Sequence, residues 1–140
     1  MAHKRIRKFN TKDTYPAQNL NNDLSQVVIA QGTMVFVRGQ VSQDLKTGES
    51  LHIGDAKGQA RLAMKNINTL LLESGSSMEH ICRTVIYLTD IKDRESVYQE
   101  IGVWLKGVHP CSTGIVVSAL ARPEWKVEIE VTAVIPKGNN

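Results

Sequence analysis

The sequence is poor in aromatic residues, in cysteine and in long apolar runs. Aromatic side chains make up 5% of its 140 residues, and it contains two cysteines, Cys82 and Cys111. No run approaches the roughly 20 apolar residues of a membrane span, and the N-terminus lacks the apolar core of about 7–15 residues that a signal peptide needs. We therefore expect a cytoplasmic protein without a membrane segment, in which both cysteines remain thiols.

Positive charge is in excess only at the N-terminus. The formal net charge is +3, but Lys4, Arg5, Arg7 and Lys8 precede the first acidic residue, Asp13, and the remainder has 13 basic against 14 acidic residues. Nucleic-acid-binding folds concentrate Lys and Arg on one face and interleave them with stacking aromatics. We therefore predict no nucleic-acid partner, and we interpret residues 1–18 as a flexible basic arm before a single domain at residues 19–137.

Hydrophobic periodicity predicts five strands and two helices. The segments SQVVIAQG and TMVFVRGQV, divided at Gly32, read as two antiparallel strands. A helix is expected from the N-cap Asp55 to Gly75, followed by the strand ICRTVIYLTD and by a second helix from Asp93 to Gly107. With the last strands, STGIVVSAL and WKVEIEVTAVI, the order is ββαβαββ, which predicts an α+β fold of one sheet with two helices packed on one face.

Four segments resemble the Rid (YjgF) family, whose members are also described as L-PSP endoribonuclease-like. These segments are MVFVRGQV, DLKTGE, ARLAMKNINTLLLESGSSMEHICRTVIYLTD and VEIEVTAV, and the resemblance runs in order from about residue 20 to 136. It implies a chorismate-mutase-like fold. It also implies a homotrimer with an internal barrel, whose three clefts between subunits bind a small metabolite.

The resemblance implies hydrolysis of reactive imines and enamines, such as 2-aminoacrylate, to a keto acid and ammonia, with no metal and no cofactor. In the best-known members an arginine after a Pro-X pair binds the substrate carboxylate, a task that suits a bidentate guanidinium. Aligned on Pro110, that position is Ser112 here, and Leu24 stands where the family commonly has tyrosine before Ser-Gln. We therefore do not expect efficient hydrolysis of 2-aminoacrylate.

The resemblance also names candidate site residues. Glu128, the first glutamate of VEIE, matches the carboxylate that orients or activates water, and it is the predicted catalytic residue. Arg38 precedes Gly39 where the family commonly has serine, and we hypothesise that its guanidinium replaces the missing cation in substrate binding. In HPCSTG, hydroxyl groups and backbone N–H groups can hold a carboxylate, and glycine permits close approach. The predicted binding residues in this segment are Cys111, Ser112, Thr113 and Gly114.

Each of these assignments has a structural alternative. Arg38 could pair with Glu128 or Glu130 at a subunit interface, and residues 112–114 could be an ordinary start of a strand. The pairs His80-X-Cys82 and His109-X-Cys111 offer four zinc ligands, but Cys82 begins a predicted strand rather than lying in a ligand-bearing turn, so we predict no metal site. The predicted function is an imine or enamine deaminase for a small anionic metabolite, and the alternative is a non-catalytic trimer that binds a carboxylate metabolite.

Overall fold

The computed structural model describes residues 3–138, which form two sheets and three helices. The strands are β1 (His3–Asn10), β2 (Asp23–Ala30), β3 (Gly32–Gln40), β4 (Ile81–Leu88), β5 (Cys111–Val116) and β6 (Val127–Pro136), and the helices are α1 (Thr11–Thr14), α2 (Ala56–Glu73) and α3 (Arg94–Trp104). A mixed four-stranded sheet has the order β3-β6-β4-β5, and β1 pairs with β2 separately. The predicted α+β class is confirmed. The prediction of one sheet in which β2 and β3 are two antiparallel strands needs a correction, because β2 pairs with the additional strand β1 in a separate sheet and β3 pairs with β6.

The basic N-terminal segment is a strand, which corrects the prediction of a flexible arm. β1 runs antiparallel to β2, from His3 opposite Ala30 to Asn10 opposite Asp23. Arg5 explains why a charged segment is ordered, since its guanidinium donates hydrogen bonds to three backbone carbonyls. The acceptors are the carbonyl oxygens of His109 at 2.9 Å, Ile81 at 3.1 Å and Glu79 at 3.2 Å. The folded unit therefore begins well before residue 19.

Asp23, at the start of β2, holds the turn that follows α3. Its carboxylate accepts hydrogen bonds from the Gly107 backbone N–H at 2.8 Å and from the Asn10 side chain at 2.8 Å. Partial burial raises the pKa of Asp23, but these hydrogen bonds and the charges of His109 and Lys106 outweigh it, so that the pKa lies below its ordinary value. The ionised carboxylate therefore contributes to the stability of the folded chain.

The helix α2 supplies most of the core on one side of the four-stranded sheet. Its N-cap is Asp55, whose side chain accepts a hydrogen bond from the Gly58 backbone N–H at 3.0 Å. The chain leaves the helix through Gly75 in the left-handed conformation, with φ of 88°. The apolar stripe of α2 is completely buried, and consists of Ala60, Ala63, Met64, Ile67 and Leu71. The helix predicted between Asp55 and Gly75 is confirmed.

The side chains of β6 alternate between the two faces of the four-stranded sheet. Val127, Ile129, Val131 and Ala133 are buried in the core with α2 and α3. Side chains at even-numbered positions from 128 to 132 point to the opposite side, which we call the outer face. Phe36 of β3 lies opposite Thr132 in the register and is 75% exposed. The outer face of a single chain therefore presents both carboxylates and apolar side chains to its surroundings.

Candidate functional site

A β-bulge in β3 brings Arg38 and Gly39 next to the glutamates of β6. Val37 pairs with Val131 and Gln40 with Ile129, so two residues of β3 stand opposite the single residue Glu130. The carboxylate of Glu128 lies directly against the backbone of Gly39, where the Cβ of any other residue would overlap Glu128 Oε2. Glycine at position 39 therefore makes room for the Glu128 carboxylate. The structure thus places three of the predicted site residues together.

Both charged groups of this cluster are unpaired. Within residues 3–138, neither the Arg38 guanidinium nor the Glu128 carboxylate takes part in an ion pair or a side-chain hydrogen bond. The interaction of Arg38 that the structure shows is through its backbone carbonyl, which accepts a hydrogen bond from Gln40 Nε2 at 2.8 Å. An ion pair of Arg38 with Glu128 or Glu130 is thus not formed within one chain. A carboxylate and a guanidinium on the same face are both available to a ligand.

Tyr87 of β4 joins the site, although the sequence did not single it out. It is the direct cross-strand partner of Glu128, and its hydroxyl donates a hydrogen bond of 2.6 Å to Glu130 Oε1. This hydrogen bond, followed by partial desolvation and by the charges of Glu130 and Glu128, raises the pKa of Tyr87 despite an opposing effect of Arg83. The phenol therefore keeps its proton at neutral pH. The segment ICRTVIYLTD was predicted only as a strand, and the partner of Tyr87 depends on the strand register.

The four predicted residues of β5 do not reach Glu128 within one chain. β4 lies between β5 and β6, so that β5 is two strand spacings, or about 10 Å, away from the strand of Glu128. Arg38, on β3, is one spacing further. Thr113 lies opposite Val85 of β4, and Cys111 lies opposite Arg83. Both pairs belong to the row of side chains that points to the outer face. Cys111 and Thr113 are therefore on the same face as Glu128 but two strands away from it.

Ser112 and Gly114 face the helices and not the outer face. In the register of β4 and β5, Ser112 stands opposite Thr84 and Gly114 opposite Ile86, both of which are buried under α3. Ser112 lines a narrow cavity beside Tyr98. The space above Gly114 is filled by the Tyr98 ring, which the Cβ of a larger residue would overlap. Packing explains the glycine, and the approach of a substrate that we predicted for Gly114 would meet this ring.

The two cysteines lie on neighbouring strands, and both are free thiols. Burial raises the pKa of Cys82, with an opposing effect of the Arg5 charge and a smaller contribution from Cys111. His80 contacts His3, with 2.9 Å between His3 Nε2 and His80 Nδ1. Among the residues that the structure describes, no group of three or more His, Cys, Asp or Glu side chains is arranged to hold a metal ion. None of the helices between residues 3 and 138 is long and apolar enough to cross a membrane.

The sequence is similar to known proteins over most of its length. It is 37% identical to protein DfrA of Myxococcus xanthus over 108 residues, which are 77% of this chain and 81% of that protein. It is 30% identical over 110 residues to the 2-iminobutanoate/2-iminopropanoate deaminase of Rattus norvegicus, covering 79% of this chain and 78% of the deaminase.

Solved structures with a similar fold include proteins of the Rid family. A Rid-family protein of Yersinia pestis, YyfB, superposes with a TM-score of 0.80 at 25% identity, and the match covers 96% of this chain and 99% of that one. RidA of an Antarctic Psychrobacter superposes with a TM-score of 0.68 at 27% identity, over 79% of this chain and 87% of RidA. The family model described as Endoribonuclease L-PSP matches residues 16–135. The chain therefore belongs to the endoribonuclease L-PSP family, the family of the Rid proteins.

Proposed function

We propose that this chain is a Rid-family deaminase that adds water to the imine or enamine carbon of a small anionic metabolite and releases ammonia. The observation that carries the proposal is the unpaired Glu128 carboxylate, held over Gly39 on the outer face with the unpaired Arg38 beside it. The name of the rat relative, an iminobutanoate and iminopropanoate deaminase, supports the same chemistry. We further propose that the reaction takes place in the cytoplasm and needs no added cofactor.

Glu128 has the chemistry that hydration of a C=N bond requires. One carboxylate oxygen accepts a proton from water while the water oxygen forms a bond to the imine carbon, and the C=N electron pair moves to nitrogen. Glu128 then returns that proton to the nitrogen. Glu128 next transfers the hydroxyl proton of the intermediate to the same nitrogen. The C–N bond then breaks, ammonia leaves, and the oxygen becomes the carbonyl oxygen of the keto acid. Proton transfer by a positioned carboxylate typically contributes about 10²–10⁴-fold in rate.

Arg38 is the proposed binding group for the anionic end of the metabolite. A guanidinium recognises a carboxylate with two parallel hydrogen bonds, and Arg38 has no competing carboxylate partner within residues 3–138. It projects from β3, whereas the position that is arginine in the best-known Rid proteins lies on β5. The metabolite would thus be held from the opposite edge of the sheet, with the backbone of Gly39 beside its reacting carbon.

The proposed active form is a homotrimer with the metabolite in the clefts between subunits. Three apolar side chains of the outer face support an assembly through this face, namely Met34 at 56%, Phe36 at 75% and Ile115 at 41% exposure. Exposed apolar area of this kind typically marks an interaction surface. Assembly also offers a way to bring Cys111 and Thr113 of one subunit towards Glu128 of another, since one chain keeps them about 10 Å apart.

The test is ammonia release from imines generated in situ by a pyridoxal-phosphate enzyme, comparing the wild type with Glu128→Gln and Arg38→Ala. We expect release above buffer for the wild type and a loss of about a hundredfold or more in kcat for Glu128→Gln. Arg38→Ala should raise KM more than it lowers kcat, because it removes a binding contact. Glu73→Gln, at the exposed end of α2, is the matched control and should behave as the wild type. Release no faster than in buffer would contradict the deaminase proposal.

A second candidate function, a non-catalytic trimer that binds a carboxylate metabolite, is favoured by the composition of β5. Residues 111–117 carry no charged side chain, so the cation that the best-known enzymes place there is absent. Calorimetric titration with 2-oxobutanoate distinguishes the two functions. Saturable binding that Arg38→Ala abolishes, together with no ammonia release from any imine, would support the binding protein.

A further inference from the structure

Two glutamates lie on the same face of β6, and the structure holds their carboxylates apart. Glu128 and Glu130 are two residues apart on the same strand, which places their Cβ atoms about 7 Å from each other. Two carboxylates at such a distance repel each other. Here they turn to opposite sides, because Glu128 lies over Gly39 of β3 whereas Glu130 is hydrogen-bonded to Tyr87 of β4.

We propose that Tyr87 is a positioning residue that makes Glu128 the reactive carboxylate by holding Glu130 on the far side of β6. This inference rests on the proposed deaminase function, and it assigns different roles to the two glutamates of the VEIE segment. Glu128 is the proton acceptor, and Glu130 is the hydrogen-bond acceptor of the Tyr87 hydroxyl.

The contacts of the two carboxylates support the assignment. Glu130 Oε1 accepts a short hydrogen bond of 2.6 Å from the Tyr87 hydroxyl, which occupies this oxygen and holds the carboxylate on the β4 side. Glu128 has no hydrogen-bond donor within residues 3–138, so its oxygens can accept a proton from water. The raised pKa of Tyr87 keeps the donor protonated over the neutral range.

The register explains why this tyrosine acts on both glutamates. Tyr87 is the cross-strand partner of Glu128, yet its side chain reaches along the strand to the diagonal neighbour Glu130. The ring therefore occupies the β4 side of Glu128, and the bulge at Gly39 leaves room on the β3 side. Loss of the hydroxyl would release Glu130, and repulsion between the two free carboxylates would displace Glu128 from its place over Gly39.

The test is a double-mutant cycle on kcat and KM for ammonia release, with Tyr87→Phe, Glu130→Gln and the double variant. We expect Tyr87→Phe to lower kcat by about tenfold to a hundredfold with little change in KM. Glu130→Gln should stay within about threefold of the wild type, since the amide oxygen still accepts the tyrosine hydroxyl and carries no charge. The double variant should recover to the level of Glu130→Gln, because no carboxylate is left to repel Glu128.

Recovery of kcat in the double variant distinguishes a positioning role of Tyr87 from a purely structural role. If Tyr87 only stabilised the sheet, the double variant would be as slow as Tyr87→Phe, and the inference would be overturned. Full kcat in Tyr87→Phe would overturn it equally. Tyr15→Phe, an exposed tyrosine outside the site, is the matched control, and melting temperatures of all variants exclude unfolding as the cause. No turnover by the wild type itself would overturn the proposed function, and the inference with it.

Discussion

Replacing Gly114 by alanine is expected to destabilise the fold by displacing the ring of Tyr98. The added methyl group would overlap Tyr98 Oη and would lie 3.0 Å from Tyr98 Cζ, well inside the roughly 3.5–4.0 Å at which nonbonded carbon atoms attract each other best. Tyr98 is 5% exposed and carries the Arg94 guanidinium 4.4 Å from its ring centroid, so the ring can shift only into the narrow cavity that Ser112 lines. Overpacking of a filled core typically costs about 1–3 kcal/mol, and we expect about 2 kcal/mol here.

Urea unfolding at pH 7 measures this cost, and Tyr98→Phe supplies the control. Without Oη the methyl group meets only the ring carbon, so Gly114→Ala should cost at least about 1 kcal/mol less in the phenylalanine background than in the wild type. An equal cost in both backgrounds would refute the contact with Tyr98. Wild-type stability of Gly114→Ala combined with a loss of ammonia release would refute the packing explanation altogether, and would restore the substrate-binding role expected from the sequence.

Four further predictions concern the bulge, the N-terminal strand and the outer face. Gly39→Ala should lower kcat/KM for ammonia release by about a hundredfold, since it displaces the Glu128 carboxylate by about 1 Å, and it should change stability by about 1 kcal/mol or less because the flexible side chain can move away. Arg5→Ala should reduce the free energy of unfolding by about 2–3 kcal/mol, because it leaves three carbonyls without their donor, and an unchanged urea midpoint would contradict the anchoring of β1. Asp23→Asn should be less stable than the wild type at pH 7, and the difference should vanish as the pH falls below about 4 through the lowered pKa of the folded carboxylate, as thermal melts across pH can show. Phe36→Glu should convert the proposed trimer to monomers in sedimentation velocity, and an unchanged mass would contradict assembly through the outer face.

The helices were predictable from the sequence because their signals are local. Asp55 caps α2 and Gly75 ends it, and the apolar stripe between them repeats at helical spacing. The strand β1 was missed because its signal is not local. Four of the first ten residues are Lys or Arg, and such a charge density is typical of a solvated segment. Arg5 is nevertheless ordered by the carbonyls of residues 79, 81 and 109, which are more than 70 positions away in the chain. Periodicity contains no information about such acceptors.

The candidate site shows the same division between local pattern and long-range register. Resemblance gave Glu128, Arg38 and Gly39, and the structure places them together because a bulge of one residue on β3 opposes β6. The resemblance could not supply the orientation of β5, where a shift by one position exchanges the two faces of a strand. Ser112 therefore faces Tyr98 and the helices, and Thr113 is the β5 hydroxyl on the outer face. The position aligned with the missing arginine is thus on the helix side, so that a cation introduced by Ser112→Arg would have to displace buried packing before it could reach a ligand near Glu128.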